Sequence, residues 1–73
     1  MNEASFLRVN GQTREYGAAD FPETVAALVA SVGIDANMVV AEINGEIVSR
    51  NDYETHRLAP GDKVELVRFV GGG

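Results

Sequence analysis

The chain has 73 residues, no cysteine, and a formal net charge of −5 from 11 acidic and 6 basic residues. That length holds one small domain. The missing thiols exclude a disulfide framework, a cysteine-held zinc or iron–sulfur site, and sulfur transfer through a side-chain thiol. An acidic surface repels a phosphate backbone, so the expected partner is not nucleic acid but a protein with a basic face.

Hydrophobic residues make up 45% of the chain, which suits a globular fold and not a disordered one. A chain this short buries roughly 60% of its unfolded surface, so the core is thin. No run approaches the ~20 apolar residues of a membrane span, so no membrane role is expected. Met1 to Ser5 carry neither a basic nor an apolar run, so no signal peptide is expected either. A cysteine-free small domain suits a reducing cytoplasm.

Phe6-Leu7-Arg8-Val9 reads as a strand, with Leu7 and Val9 toward the core and Phe6 and Arg8 on the opposite face. Asn10-Gly11 follows, a two-residue hairpin signal, because both turn positions must accept positive φ. Residues 12–16 return as the second strand. The spacing of Val25, Leu28, Val29 and Val32 predicts a helix over residues 21–32, with one buried stripe. Asp20 is placed to cap it, Pro22 fits its first turn, and Glu23 completes a capping box. Gly33 is the expected stop.

Residues 38–43 read as the third strand, and Asn44-Gly45 is a second hairpin signal leading into Glu46-Ile47-Val48. Residues 49–54 are polar and suit a turn. His56 to Leu58 reads as a brief strand, and Pro60-Gly61-Asp62 as a tight turn. Residues 63–69 form the clearest strand, with Val64, Leu66 and Arg68 on one face and Glu65, Val67 and Phe69 on the other. The predicted class is α+β, a mixed sheet of four to five strands with one main helix on one face. If the first and last strands pair, that pair is parallel and central, which is the β-grasp, or ubiquitin-like, arrangement.

The last strand runs into Val70-Gly71-Gly72-Gly73. Three successive glycines cannot be the interior of a helix or strand. They read either as a frayed end or as a tether ending in a carboxylate. The division expected is a domain over residues 1–70 and a flexible tail over 71–73. On the open face of the sheet, Phe6, Val67 and Phe69, with Val70 beyond, are candidates for a partner-docking patch. Partial burial by loops would explain the same residues. His56 stands alone, without a metal-binding partner. Asp20 with Glu23 suits capping, and Asp52 with Glu54 suits a solvated turn. No nucleophile–base pair and no metal-ligand set is legible, so no catalytic residue and no metal site is assigned.

The ordered segments resemble those of the ThiS family, the sulfur carriers of thiamine biosynthesis. The resemblance rests on Val9-Asn10-Gly11, on Thr24 through Leu28, on Ala41 through Arg50 with Tyr53 at an aromatic position, on Leu58 through Val67, and on Gly72-Gly73. It implies that the chain is a protein co-substrate and not an enzyme. An E1-like adenylating enzyme (ThiF-like) would use ATP and magnesium to adenylate the C-terminal carboxylate of Gly73. A sulfur donor such as a cysteine desulfurase would convert it to a thiocarboxylate, and a thiazole synthase (ThiG-like) would consume the sulfur. The carrier itself would bind no cofactor. Gly71 and Gly72 would give Gly73 access to a recessed ATP site, and the four residues from Val70 can extend about 13 Å. Two departures stand out: a third glycine at Gly71, and a longer lead at residues 1–5. Because the chain stops at glycine, no processing step is expected. A molybdopterin-type carrier (MoaD-like) shares the fold and the Gly-Gly end, but the Phe69-Val70-Gly71 approach favours the thiamine family. An interaction-only ubiquitin-like module is the alternative from a different class.

Overall fold

The computed structural model describes residues 4–69. In chain order it contains β1 (Ser5–Val9), β2 (Gln12–Tyr16), α1 (Val25–Val32), β3 (Val39–Ile43), β4 (Glu46–Val48) and β5 (Lys63–Arg68). Single 3-10 turns occupy Ala36–Met38 and Arg50–Asp52. The first of these takes Met38 out of the third strand, which begins one residue later than the pattern predicts. Residues 56–58 make an isolated bridge to the helix entry instead of the expected strand.

Both Asn-Gly pairs turn hairpins as expected. Asn10 and Gly11 have φ of 51° and 80°, and Asn44 and Gly45 have 52° and 90°. Such turns match the twist of the flanking strands. The sheet order is β2-β1-β5-β3-β4. β1 and β5 are parallel, and the other pairs are antiparallel. A mixed five-stranded sheet with its last strand in the centre and one helix across it is the β-grasp arrangement.

The core lies between α1 and one face of the sheet. Val25, Leu28 and Val29 of the helix meet Leu7 and Val9 of β1, Val39, Ala41 and Ile43 of β3, and Val64 and Leu66 of β5. The side chains with almost no exposure are all Leu or Val: Leu7, Leu28, Val25, Val29, Val39 and Val64. Each contributes about 1.5–3 kcal/mol by leaving water.

The helix begins four residues later than the capping-box reading expects. Its N-cap is Thr24, extended at φ −132° and ψ 165°, whose side chain accepts a hydrogen bond from Ala27 N. Asp20 instead closes a turn through Asp20 N to Gly17 O at 2.9 Å. Two causes act together. Pro22 disfavours helical backbone at Phe21. The backbone of residues 23–25 is also paired across to residues 56–58, with Leu58 N donating to Glu23 O and Val25 N to His56 O. Glu23 spends its carboxylate on Arg57 at 3.3 Å, an exposed pair. The C-terminal stop is as expected, with Gly33 at φ 82°.

Tyr53 is buried, and its hydroxyl serves β3 where pairing with β4 ends at Ala41↔Val48. It donates to Val39 O and accepts from Ala41 N, both at 3.0 Å. A side chain thus replaces a strand neighbour. None of the helices among the described residues is long and apolar enough to cross a membrane.

Candidate functional site

The site is organised by β5, because that strand leads to the glycine tail. It is held from both sides. β3 pairs with it over five positions, from Ile43↔Val64 to Val39↔Arg68. The ladder then continues one step, with Phe69 N donating to Met38 O at 3.1 Å. On the other side β1 ends at Val9, and the side chain of Asn10 carries the pairing onward. Its Oδ1 accepts from Leu66 N at 2.8 Å, and its Nδ2 donates to Leu66 O at 3.3 Å. Asn44 plays a similar part nearer the start of β5, where its Oδ1 accepts from Lys63 N at 2.9 Å. Both hairpin asparagines therefore have two functions. They turn their own strands, and they fasten β5 through side-chain amides that mimic backbone.

The backbone is anchored in this way up to Phe69. Val70, Gly71, Gly72 and Gly73, which include the proposed point of modification and its access glycines, lie outside the described residues. So does the expected boundary between domain and tail.

Alternation along β5 separates its two faces. Val64 and Leu66 are buried under α1, while Glu65, Val67 and Phe69 face away from the core, Val67 at 57% and Phe69 at 39% exposure. Val67 stands directly opposite Val40 on β3. Val67 and Phe69 therefore share one apolar patch at the end of β5. Phe6 does not join them. It is exposed on the same face, but Gly61 N donates to Phe6 O, which sets it level with the turn before β5. Val67 is six residues further on, about 20 Å along the strand. The parallel register of β1 against β5 causes this separation, with Arg8 opposite Lys63.

Ile47 is a member of the patch that the sequence reading leaves aside. It is 72% exposed, the most exposed large apolar side chain among those described. It lies opposite Glu42, which in turn lies opposite Glu65. Its position was recoverable from the sequence. A two-residue turn at Asn44-Gly45 fixes the register, which places Ile47 across from Glu42 and on the face opposite buried Val48. The open face beside the end of β5 thus carries Val40, Ile47, Val67 and Phe69 around two carboxylates.

The remaining candidates resolve into structural roles. His56 is half-buried in the connection to β5, its backbone tied to Asp52 O and Val25 N. The carbonyl of Asp52 accepts from Thr55 N and His56 N, closing that turn. Asp20 and Glu23 are separately engaged, as described above.

Comparison with known proteins follows the same outline. The ThiS family model matches residues 7–73, from β1 through the last glycine. A protein named sulfur carrier protein ThiS from Bacillus subtilis is 38% identical over 50 residues, covering 68% of this chain and 76% of its own length. A protein named thiazole synthase from Paramagnetospirillum magneticum is 40% identical over 67 residues, or 92% of this chain. The chain spans only about a fifth of that relative's length, 20%. Among solved structures, the thiamine biosynthesis protein ThiS from Geobacter metallireducens superposes with a TM-score of 0.76 at 31% identity, covering all of both chains. A match of this extent, through both hairpins, the helix, the central strand and the glycine end, places the chain in the ThiS family.

Proposed function

We propose that the chain is a sulfur carrier for thiazole formation in thiamine biosynthesis, and that the carboxylate of Gly73 is its working group. The observation that carries this reading is the extent of the family match, which runs through Gly73 behind a central strand fastened on both sides. The relative named sulfur carrier protein ThiS supports it directly. The relatives named thiazole synthase support a thiazole synthase as the protein that receives the sulfur.

The chemistry follows from what a carboxylate lacks. It is a poor electrophile. Attack of a Gly73 carboxylate oxygen on the α-phosphate of ATP, with loss of pyrophosphate, gives an acyl adenylate. The terminal sulfur of a donor persulfide then attacks the carbonyl carbon and expels AMP, giving an acyl disulfide with the donor, and a second thiol, attacking the donor's sulfur, takes the donor as a disulfide and releases the thiocarboxylate. An E1-like enzyme with magnesium supplies this catalysis, and a cysteine desulfurase-type donor supplies the sulfur. The chain supplies the group and its delivery, as a co-substrate. Gly71 and Gly72 have no Cβ to obstruct a narrow channel. Val67 and Phe69, with Val70 beyond them, dock beside the entrance. The setting proposed is the cytoplasm, where ATP is available.

The test is intact-mass measurement after incubation with ATP, magnesium, the cognate adenylating enzyme and a sulfur donor. The expected product carries sulfur in place of one oxygen. Gly73→Ala and deletion of Gly73 should remain folded and gain nothing. An unchanged wild-type mass would make the chain an interaction module, and normal activation of either variant would remove Gly73 from the chemistry.

A further inference from the structure

The two Asn-Gly pairs, Asn10-Gly11 and Asn44-Gly45, both sit at hairpin turns with positive φ. In this dipeptide the side-chain amide is open to attack by the next backbone nitrogen, because glycine has no Cβ to obstruct the approach. Neither Gly11 N nor Gly45 N has a hydrogen bond among the described residues, and both glycines border open space. What restrains the reaction is the asparagine side chain, whose amide must swing free before Cγ can meet that nitrogen. The two restraints differ. Asn10 is bound at both ends to one residue of the central strand, with Oδ1 accepting from Leu66 N at 2.8 Å and Nδ2 donating to Leu66 O at 3.3 Å, and both contacts are part-buried. Asn44 holds the first residue of β5 and the turn before it. Its Oδ1 accepts from Lys63 N at 2.9 Å and its Nδ2 donates to Asp62 Oδ1 at 3.0 Å, and both contacts are exposed. Water competes for exposed hydrogen bonds, so the Asn44 amide is released more often.

We propose that Asn44 is a self-modification site, at which deamidation through Gly45 unfastens the start of β5. Gly45 N gives its proton to solvent base and attacks Cγ of Asn44. The new N–Cγ bond closes a cyclic imide while the Cγ–Nδ2 bond breaks, and Nδ2 leaves as ammonia with a proton from water. A water molecule then opens the imide. Cleavage at Cγ gives aspartate, and cleavage at the original peptide carbonyl gives isoaspartate, with the chain rerouted through the side chain. Either product exchanges an amide donor for a carboxylate. In the aspartate form the contact from Lys63 N survives, while the contact to Asp62 becomes two like charges at hydrogen-bond distance. Asp62 is not free to turn away. Its other oxygen accepts from Ala59 N at 2.8 Å and closes the turn, and its carbonyl accepts from Arg8 N at 3.0 Å. The repulsion is therefore delivered to the turn that leads β5 in between β1 and β3. The step needs only water and base, and it stands apart from the carrier reading.

The experiment incubates the purified chain in warm, mildly alkaline buffer and follows both asparagines by peptide mass mapping, with a parallel sample in urea. In buffer Asn44 should react about tenfold faster than Asn10, the factor set by one more net hydrogen bond kept from water. In urea, where no fold holds either amide, the two sites should react at similar and faster rates. Asn44→Asp supplies the aspartate product directly, and its unfolding midpoint should lie about 4 °C or more below wild type. Asn44→Asp combined with Asp62→Asn restores the pair with donor and acceptor exchanged, and should recover most of that loss. Equal or faster reaction at Asn10 in the folded chain overturns the proposal, as does the same preference for Asn44 in urea. So does an Asn44 that stays intact in buffer while the urea sample converts. A smaller fall in the midpoint of Asn44→Asp refutes the unfastening, and an exchanged pair that recovers nothing refutes the contact with Asp62 as its cause.

Discussion

Tyr53→Phe isolates one oxygen atom and asks what it holds. The ring remains to fill its buried place, and only the hydroxyl is lost. That hydroxyl donates to Val39 O and accepts from Ala41 N at 3.0 Å each. A phenyl ring can do neither, and water has little access to a residue that is 4% exposed. A buried backbone group left without its partner costs about 1–3 kcal/mol. Two groups are affected, but Ala41 also has Val48 of β4 opposite it, so the expected loss lies at the lower end of their sum, about 2–3 kcal/mol in total. A domain of this length has a total stability of about 4–11 kcal/mol, so the loss is a large share. The midpoint of thermal unfolding should fall by about 10–20 °C, since 1 kcal/mol shifts it by about 4–8 °C at this size. Urea unfolding followed by circular dichroism, with the slope unchanged, gives the free energy directly. A loss under about 0.5 kcal/mol, the scatter of neutral surface changes, would refute the view that this hydroxyl stands in for a strand neighbour.

Three further outcomes follow from the same geometry. Thr24→Ala should cost about 1 kcal/mol as a lost N-cap, while Asp20→Ala should change stability by less than about 0.5 kcal/mol, and chemical denaturation of the pair tests where the helix begins. Asn10→Ala removes both contacts to Leu66 and strains a residue at φ 51°, whereas Asn10→Gly removes the contacts alone. Amide hydrogen exchange at Leu66 should accelerate in both, and more in the alanine variant. Phe69→Ala should raise the KM for the adenylating enzyme while lowering the unfolding midpoint by no more than about 4 °C, and collapse of the fold would instead make Phe69 a core residue.

What was legible in the sequence is what local chemistry determines. Asn-Gly twice, the helical spacing from Val25 to Val32 and the alternation from Val64 to Val67 each carry their own signal, and together they dictate the hairpins, the helix and the last strand. Three features depend on residues that are distant in sequence. The helix start moved to Thr24 because residues 56–58 compete for the backbone before it. The separation of Phe6 from Val67 follows from a parallel register, and no turn sets that register. The asparagine contacts to Leu66 and Lys63, and the opposition of Glu42 to Glu65, arise only once β5 has been placed between β1 and β3. The sequence shows which residues alternate to the open face, while the neighbours across each strand come from the tertiary fold.

The position of β5 also has a mechanical meaning. A pull on the chain beyond Phe69, such as a tight grip on the tail by another protein, acts along the axis of that strand. Its hydrogen bonds to β1 and β3 lie across the direction of pull, and the asparagine contacts to Leu66 and Lys63 lie beside them. All of them bear the load together in shear, where an edge strand peeled from its end would lose them one at a time. The domain is therefore built to withstand force applied where its last strand leaves the sheet.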